Sequence, residues 1–203
     1  MFQIDLGMTE GWVDALNLID QKMPYRKDDF YKAIKADTQA QHVWWFTVIK
    51  ELNLSINQVN VYASGYGLYN VPLLRQLGAT SVTLYDYDAE VVDINWRLNK
   101  YDAEHINFQQ QVLDVIFDGE WIDKNVDFVL NTSCEVMYHF AKTRKMYGKD
   151  TLFCLQGTNY PKKGNINLAK SLDEFTLSTG LTDILYEGMA PDNGYQRYMV
   201  IGK

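Results

Sequence analysis

Cysteine and proline are scarce in this chain, with two and four residues respectively, and each scarcity excludes something. Cys134 and Cys154 both stand in apolar, strand-like contexts, so two reduced thiols are expected rather than a disulfide framework. The prolines Pro24, Pro72, Pro161 and Pro191 punctuate the chain singly, and no Gly/Ser linker, internal repeat or charge block divides it. One domain is therefore expected across the 203 residues, with 1–38 as a helical N-terminal cap and 39–203 as its core. No stretch approaches the roughly 20 apolar residues of a membrane span, and the first residues lack a basic segment followed by an apolar one. These absences lead to the expectation of a cytoplasmic protein. Basic charge is also in deficit, 19 Lys and Arg against 26 Asp and Glu, for a formal net charge of −7. That balance disfavours duplex nucleic acid, whose binders gain affinity by neutralising phosphates with clustered cations. The pair Lys162-Lys163 beside Pro161 reads as a solvated loop, and no metal site is expected.

The residues that are present alternate between two periods. Trp45, Val48, Ile49 and Leu52 recur at the spacing that gives a helix one buried stripe. Val59 to Ala63 reads as a buried strand, Ser64-Gly65-Tyr66-Gly67 as a glycine turn, and Leu68 to Leu77 as a helix closed by Gly78. A second strand, Ser81 to Tyr85, ends at Asp86, and Val91, Ile94 and Leu98 mark the helix after it. Further strands are expected near Ile106 to Gln110, Val126 to Leu130 and Thr151 to Leu155. Strands alternating with helices imply a mainly parallel sheet. The end of the chain breaks the pattern: Ser171 to Glu174 is a capping box, its helix stops at Gly180, and Thr182 to Gly188 and Tyr195 to Ile201 read as a hairpin joined by Met189 to Gly194.

The chemistry concentrates at strand ends. A glycine loop between a strand and a helix turns backbone N–H groups and the positive helix end toward a ligand, and the missing side chains permit close approach. Asp86 follows Gly67 by roughly 20 positions at the end of the next strand, where an acid can accept hydrogen bonds from both ribose hydroxyls of a nucleoside. A dinucleotide fingerprint would require a third glycine at position 70, where Asn70 stands. That departure and the terminal hairpin count against a nicotinamide-dependent oxidoreductase.

From Val59 to Lys203 the chain resembles the class I S-adenosylmethionine-dependent methyltransferases, on its glycine loop, Asp86 and the terminal hairpin. The resemblance implies a three-layer, Rossmann-like, seven-stranded α/β sheet, mainly parallel, with an antiparallel strand 7 between strands 5 and 6. It implies S-adenosylmethionine as cofactor, with Ser64, Gly65, Tyr66 and Gly67 along the methionine moiety, Asp86 on the ribose, Tyr87 against adenine, and Asp114 and Val115 near the adenine amino group. Asn131, at the end of the fourth strand, would face the methyl-transfer site. The family places an acid near the start of the glycine motif and a glycine two positions later, where this chain has Val61 and Ala63. Asn60 is the polar residue beside them.

Catalytic candidates follow from position. Asn131 to Glu135 lies at the carboxyl edge of the sheet, where α/β proteins bind ligands. Glu135 and His139 are four apart and would share a helical face, either one able to accept a proton from an attacking amine or hydroxyl. Cys134 reads as a small buried residue before a nucleophile. Tyr66 and Tyr69 are expected as pocket walls, Trp45 as core, Trp44 as a candidate cover, and Gly157 to Tyr160 as a candidate substrate contact. Methyl transfer to a small molecule or a protein side chain is the expected activity. The alternative is a catalytically inactive, methyltransferase-like nucleoside-binding or assembly module.

Overall fold

The computed structural model describes residues 10–137, 140–192 and 194–203. Helices α1 (Glu10–Lys22), α2 (Lys27–Ala33) and α3 (Ala36–Glu51) precede the first strand. Then β1 (Gln58–Tyr62), α4 (Asn70–Gln76), β2 (Ser81–Asp86), α5 (Ala89–Asn99), β3 (Asn107–Val112), β4 (Phe128–Asn131), α6 (Phe140–Arg144), β5 (Leu152–Thr158), α7 (Leu172–Thr179), β6 (Ile184–Asp192) and β7 (Tyr195–Gly202) follow. The strands form one seven-stranded sheet in the order β3-β2-β1-β4-β5-β7-β6, with only β7 antiparallel to its two neighbours. This is the Rossmann-like arrangement that the resemblance implied.

Strand periodicity explains the layers. Successive side chains point to opposite faces, so Val59 and Val61, Val82 and Leu84, and Leu130 join a cluster with α1 to α5. Tyr62, Tyr85, Val129, Phe153 and Leu155 build the core of the other face with α6 and α7. Trp45 is fully buried in the first cluster. Among the described residues no helix is long and apolar enough to cross a membrane.

Three expectations need correction. Helix α4 begins at Asn70 rather than Leu68, because Gly67, Leu68 and Tyr69 complete the turn. The segment Met189 to Asp192 is strand, not turn, leaving only positions 193 and 194 between β6 and β7. Pro191 is tolerated there because β6 is the sheet edge, where a missing N–H interrupts no ladder. The helix expected to carry Glu135 is instead a single 3-10 turn, Cys134–Val136, followed by an extended Met137. His139 itself lies outside the described residues.

Helix α1 docks on α5, and the turn before α2 reaches the start of the same helix. Gly11 permits the close approach, since a Cβ there would fall into the carbonyl oxygens of Arg97 and Leu98. Lys100 pairs with Asp14, and Arg26 reaches Asp88 at 2.5 Å and Glu90 at 2.8 Å. Gly11→Ala is expected to destabilise the chain, because overpacking costs about 1–3 kcal/mol against the ~1 kcal/mol that Ala gains in a helix. Urea unfolding would read this as a lower midpoint at unchanged slope; an unchanged midpoint would show that α1 is not held by this contact.

Candidate functional site

At the carboxyl edge of the parallel strands the glycine loop leaves β1 through an uncommon backbone. Ala63 has φ +46°, Gly65 +53° and Gly67 +61°. Ser64 N donates to Tyr85 O at 3.1 Å and Gly67 N to Ser64 O at 2.9 Å, closing the turn onto β2. At Gly67 a Cβ would lie 2.7 Å from Asn95 Nδ2 and 2.8 Å from Leu84 Cδ1, so glycine is required by space as well as by φ. No atom lies within 4 Å of the corresponding point at Gly65, whose open side faces the cavity. Asn95, buried on α5, donates to Gly65 O at 3.2 Å and receives Asn99 Nδ2 at 2.8 Å.

Asp86 ties this loop to the next one. Its Oδ2 accepts from Gly65 N at 2.8 Å and its Oδ1 from Asp88 N at 3.1 Å. Burial pushes the Asp86 carboxyl above the usual aspartate range, opposed by these backbone donors. A carboxylate has about four acceptor sites, so two backbone bonds leave capacity for further donors. Asp88 caps α5 by accepting from Glu90 N and Val91 N.

Two cavities meet at Ala63. The larger, about 340 Å³, is lined by the loop Ser64 to Tyr69, by Asn70, by Thr132 and Ser133, by Asp29 and Lys32 of α2, by His42 of α3 and by Lys162. The smaller, about 120 Å³, is an apolar slot between Asp86, Tyr87, Leu113, Asp114, Val115, Ile116, Phe117, Val136, Met137 and Ile166. Tyr87 and Phe117 remain 77% and 79% exposed at its rim, leaving two aromatic rings unused by the protein's own packing. Asp114 Oδ1 accepts from Ile116 N at 2.9 Å, shaping the turn that presents Phe117.

Ser64, Gly65, Tyr66 and Gly67 thus line the larger cavity, and Asp86, Tyr87, Asp114 and Val115 the slot. Asn131 lines neither: it is fully buried, Oδ1 accepting from Ser133 N at 2.8 Å and Nδ2 lying 3.0 Å from Met137 Sδ. Glu135 is buried as well. Its Oε1 lies 3.3 Å from Arg197 Nη2, and its backbone oxygen accepts from Ile166 N and Asn167 N. Burial raises the Glu135 carboxyl, opposed by the Arg197 charge. Arg197 also reaches Asp192 at 3.2 Å and Thr132 O at 3.0 Å.

Other expectations are redirected. Trp44 covers no part of these cavities: its Nε1 donates to Tyr186 OH at 3.2 Å, and the ring lines a separate hollow with Pro191 and Arg197. Gly157 to Tyr160 line neither cavity; the segment after them reaches the site through Lys162 and Ile166. Asn60 turns to the opposite face, donating to Asp123 O and Tyr147 OH. Burial raises the Cys134 thiol well above its usual range, so it holds its proton at neutral pH. Sequence reasoning missed Asp29, Lys32, His42, Asn95 and Phe117. Only Phe117, an aromatic at the end of the Asx-type turn that Asp114 begins, left a local signal.

Two expectations follow. Ala63→Gly removes a left-handed alanine, about 1–2 kcal/mol of strain, at a glycine entropy cost of about 0.5–1 kcal/mol, so a net gain of up to about 1.5 kcal/mol is expected in urea unfolding. A loss would show that the Ala63 methyl packs favourably. His42 accepts from Trp45 Nε1 at its Nδ1, 3.2 Å away, and burial together with the Arg197 charge pushes its pKa down to about 3. The unfolded state binds that proton more readily, so this group's contribution to stability is complete above pH 6.5 and lost as the pH falls toward 3. NMR titration should find one imidazole that stays neutral through pH 5; ordinary titration of every histidine would refute it.

No protein-family model matches the chain, and no curated protein matches it in sequence. Solved structures do match in shape. An S-adenosylmethionine-dependent methyltransferase from Clostridium acetobutylicum is 12% identical with a TM-score of 0.62, covering 90% of this chain and 98% of that one. A magnesium protoporphyrin IX methyltransferase from Synechocystis PCC 6803, with bound S-adenosylmethionine, is 14% identical with a TM-score of 0.61, covering 96% of each chain. A ribosomal protein L11 methylase from Lactobacillus delbrueckii is 10% identical with a TM-score of 0.58, covering 82% of this chain and 78% of that one. With identities this low, what the chain shares with them is the fold, and that fold is the one of the class I S-adenosylmethionine-dependent methyltransferases.

Proposed function

We propose that this chain binds S-adenosylmethionine across its two cavities and transfers the methyl group to a small molecule or a protein side chain in the cytoplasm. The observation that carries the reading is Asp86: a desolvated carboxylate joining two loops, with spare acceptor sites, between an aromatic-rimmed apolar slot and a polar cavity beside an open glycine. Those three environments suit the three parts of the nucleoside. Tyr87, Phe117, Val115 and Ile166 would hold the adenine, Asp86 the ribose hydroxyls, and the loop from Ser64 to Gly67 the methionine end.

When bound, the cofactor supplies a methyl carbon already activated by its sulfonium charge, so the protein's work is alignment and exclusion of water. Asp86 and Asn95 hold the loop in place, and the segment carrying Lys162 and Ile166 covers both cavities from the side. Asn131 and Glu135 act as positioning residues: Asn131 shapes the turn that brings Thr132 and Ser133 to the larger cavity, and Glu135 anchors Arg197 and the covering segment. His42, with Nδ1 occupied by Trp45, keeps its proton on Nε2 and donates rather than accepts. The net charge of −7 supports a small or protein acceptor over duplex nucleic acid.

Titration calorimetry with S-adenosylhomocysteine and NADH tests the reading. Wild type should bind the sulfur nucleoside selectively, and Asp86→Asn should weaken it by about 10–100-fold, the worth of charged hydrogen bonds of about 1.5–3 kcal/mol. Preference for NADH, or full affinity in the variant, would overturn the site assignment. Binding with no radiolabelled methyl group passed to any cell-lysate component would leave the nucleoside-binding module.

A further inference from the structure

The larger cavity carries its charges in a definite pattern. Among the described residues lining it there is one carboxylate, Asp29, and there are two ammonium groups, Lys32 and Lys162. Asp29 and Lys32 are three apart on α2 and share its face toward the glycine loop. Tyr66, within that loop, donates its hydroxyl to Asp29 Oδ2 at 2.8 Å, and Arg26 Nη1 lies 4.0 Å from the same oxygen. The carboxylate is therefore pinned to the loop while its side chain keeps 60% of its exposure. Phe30, the next residue, is buried and meets the Tyr66 ring edge-on at 5.2 Å, which fixes the register of α2 on the loop. Lys162 reaches the same cavity from the segment after β5, which Glu135 O anchors through Ile166 and Asn167. In a chain with 26 acidic residues, neither Lys32 nor Lys162 forms an ion pair among the described residues.

A carboxylate and two unpaired ammonium groups around one cavity complement a zwitterion. We propose that Asp29 receives the α-ammonium and that Lys32 and Lys162 receive the α-carboxylate of the nucleoside's amino-acid end. The assignment rests on the cofactor reading above and makes the N-terminal helices part of the binding site. The wall of β1 itself supplies no charge there, since Val59 and Val61 are buried apolar residues in the core. The loop contributes backbone and hydroxyl groups, so charge recognition falls to α2 and to the segment after β5.

Asp29→Asn keeps the shape and an oxygen for Tyr66, and removes the charge. Calorimetry would compare S-adenosylhomocysteine with 5′-methylthioadenosine, which has the adenine, ribose and thioether but no amino-acid end. Asp29→Asn is expected to weaken S-adenosylhomocysteine by about five- to tenfold, a charged hydrogen bond discounted for solvent exposure. Lys32→Met with Lys162→Met should do the same, and 5′-methylthioadenosine should bind all variants as it binds wild type. Unchanged S-adenosylhomocysteine affinity, or equal weakening of both nucleosides, would overturn the proposal. If wild type binds both equally, the amino-acid end is not read and this assignment falls while the cofactor reading stands. If wild type binds neither, the cofactor reading falls and takes the assignment with it.

Discussion

The carboxylate of Asp86 is the joint on which the carboxyl edge of the sheet depends. It reaches the first loop through Gly65 N and the second through Asp88 N, so the ends of β1 and β2 cannot move independently. Taking a carboxylate partly out of water is costly, which is why its affinity for a proton rises, and the two backbone donors offset that cost. Without the carboxylate, Gly65 N would lose its partner in a half-buried turn. The same group keeps acceptor capacity beside the apolar slot. One side chain thus ties two loops together and borders the slot.

From this joint the organisation spreads outward. Asp88 caps α5 and is gripped by Arg26, while Asn95 on α5 returns to Gly65 O. The helical cap, α5 and the glycine loop form one connected unit. Its charged contacts are half-exposed, and such pairs contribute about 0–1 kcal/mol each. Burial of Ala15, Leu18, Ile19 and Phe30, all at 5% exposure or less, outweighs them. The ion pairs decide orientation, and the apolar stripe of α1 and α2 decides attachment.

Elsewhere the edge spends stability on shape. Ala63 holds a left-handed backbone at the point where both cavities meet, a conformation that costs an L-residue about 1–2 kcal/mol. Arg197, buried between Glu135, Asp192 and Thr132 O, is a second such place. Buried ion pairs contribute little net stability, because desolvation cancels most of the attraction. What the guanidinium does is bring the ends of β4 and β7 and the 3-10 turn after β4 to one geometry.

The strands, the glycine turn and Asp86 were legible because each is written in local pattern: apolar runs for strands buried on both faces, glycine where φ is positive, an acid at a strand end. The hairpin was legible as a hairpin but not in its length, since Pro191 reads as a turn unless the strand is known to lie at an edge. Glu135 invited a helical reading that its own segment does not adopt, because it stands in a 3-10 turn that ends at an extended Met137. Asn131 stands at the strand end as expected, yet its amide is consumed by Ser133 and its side chain faces the interior. Nothing local could have placed Asp29, Lys32 or His42 on the cavity, since α1 and α2 are set by Gly11, Phe30 and Arg26, and α3 by His42 and Gln41, each meeting residues far along the chain. By itself the sequence determined the alternation of elements and the loop chemistry, which are short-range properties. Which charges line the larger cavity was decided only by tertiary packing, because helix register over a loop depends on contacts between segments that no spacing records.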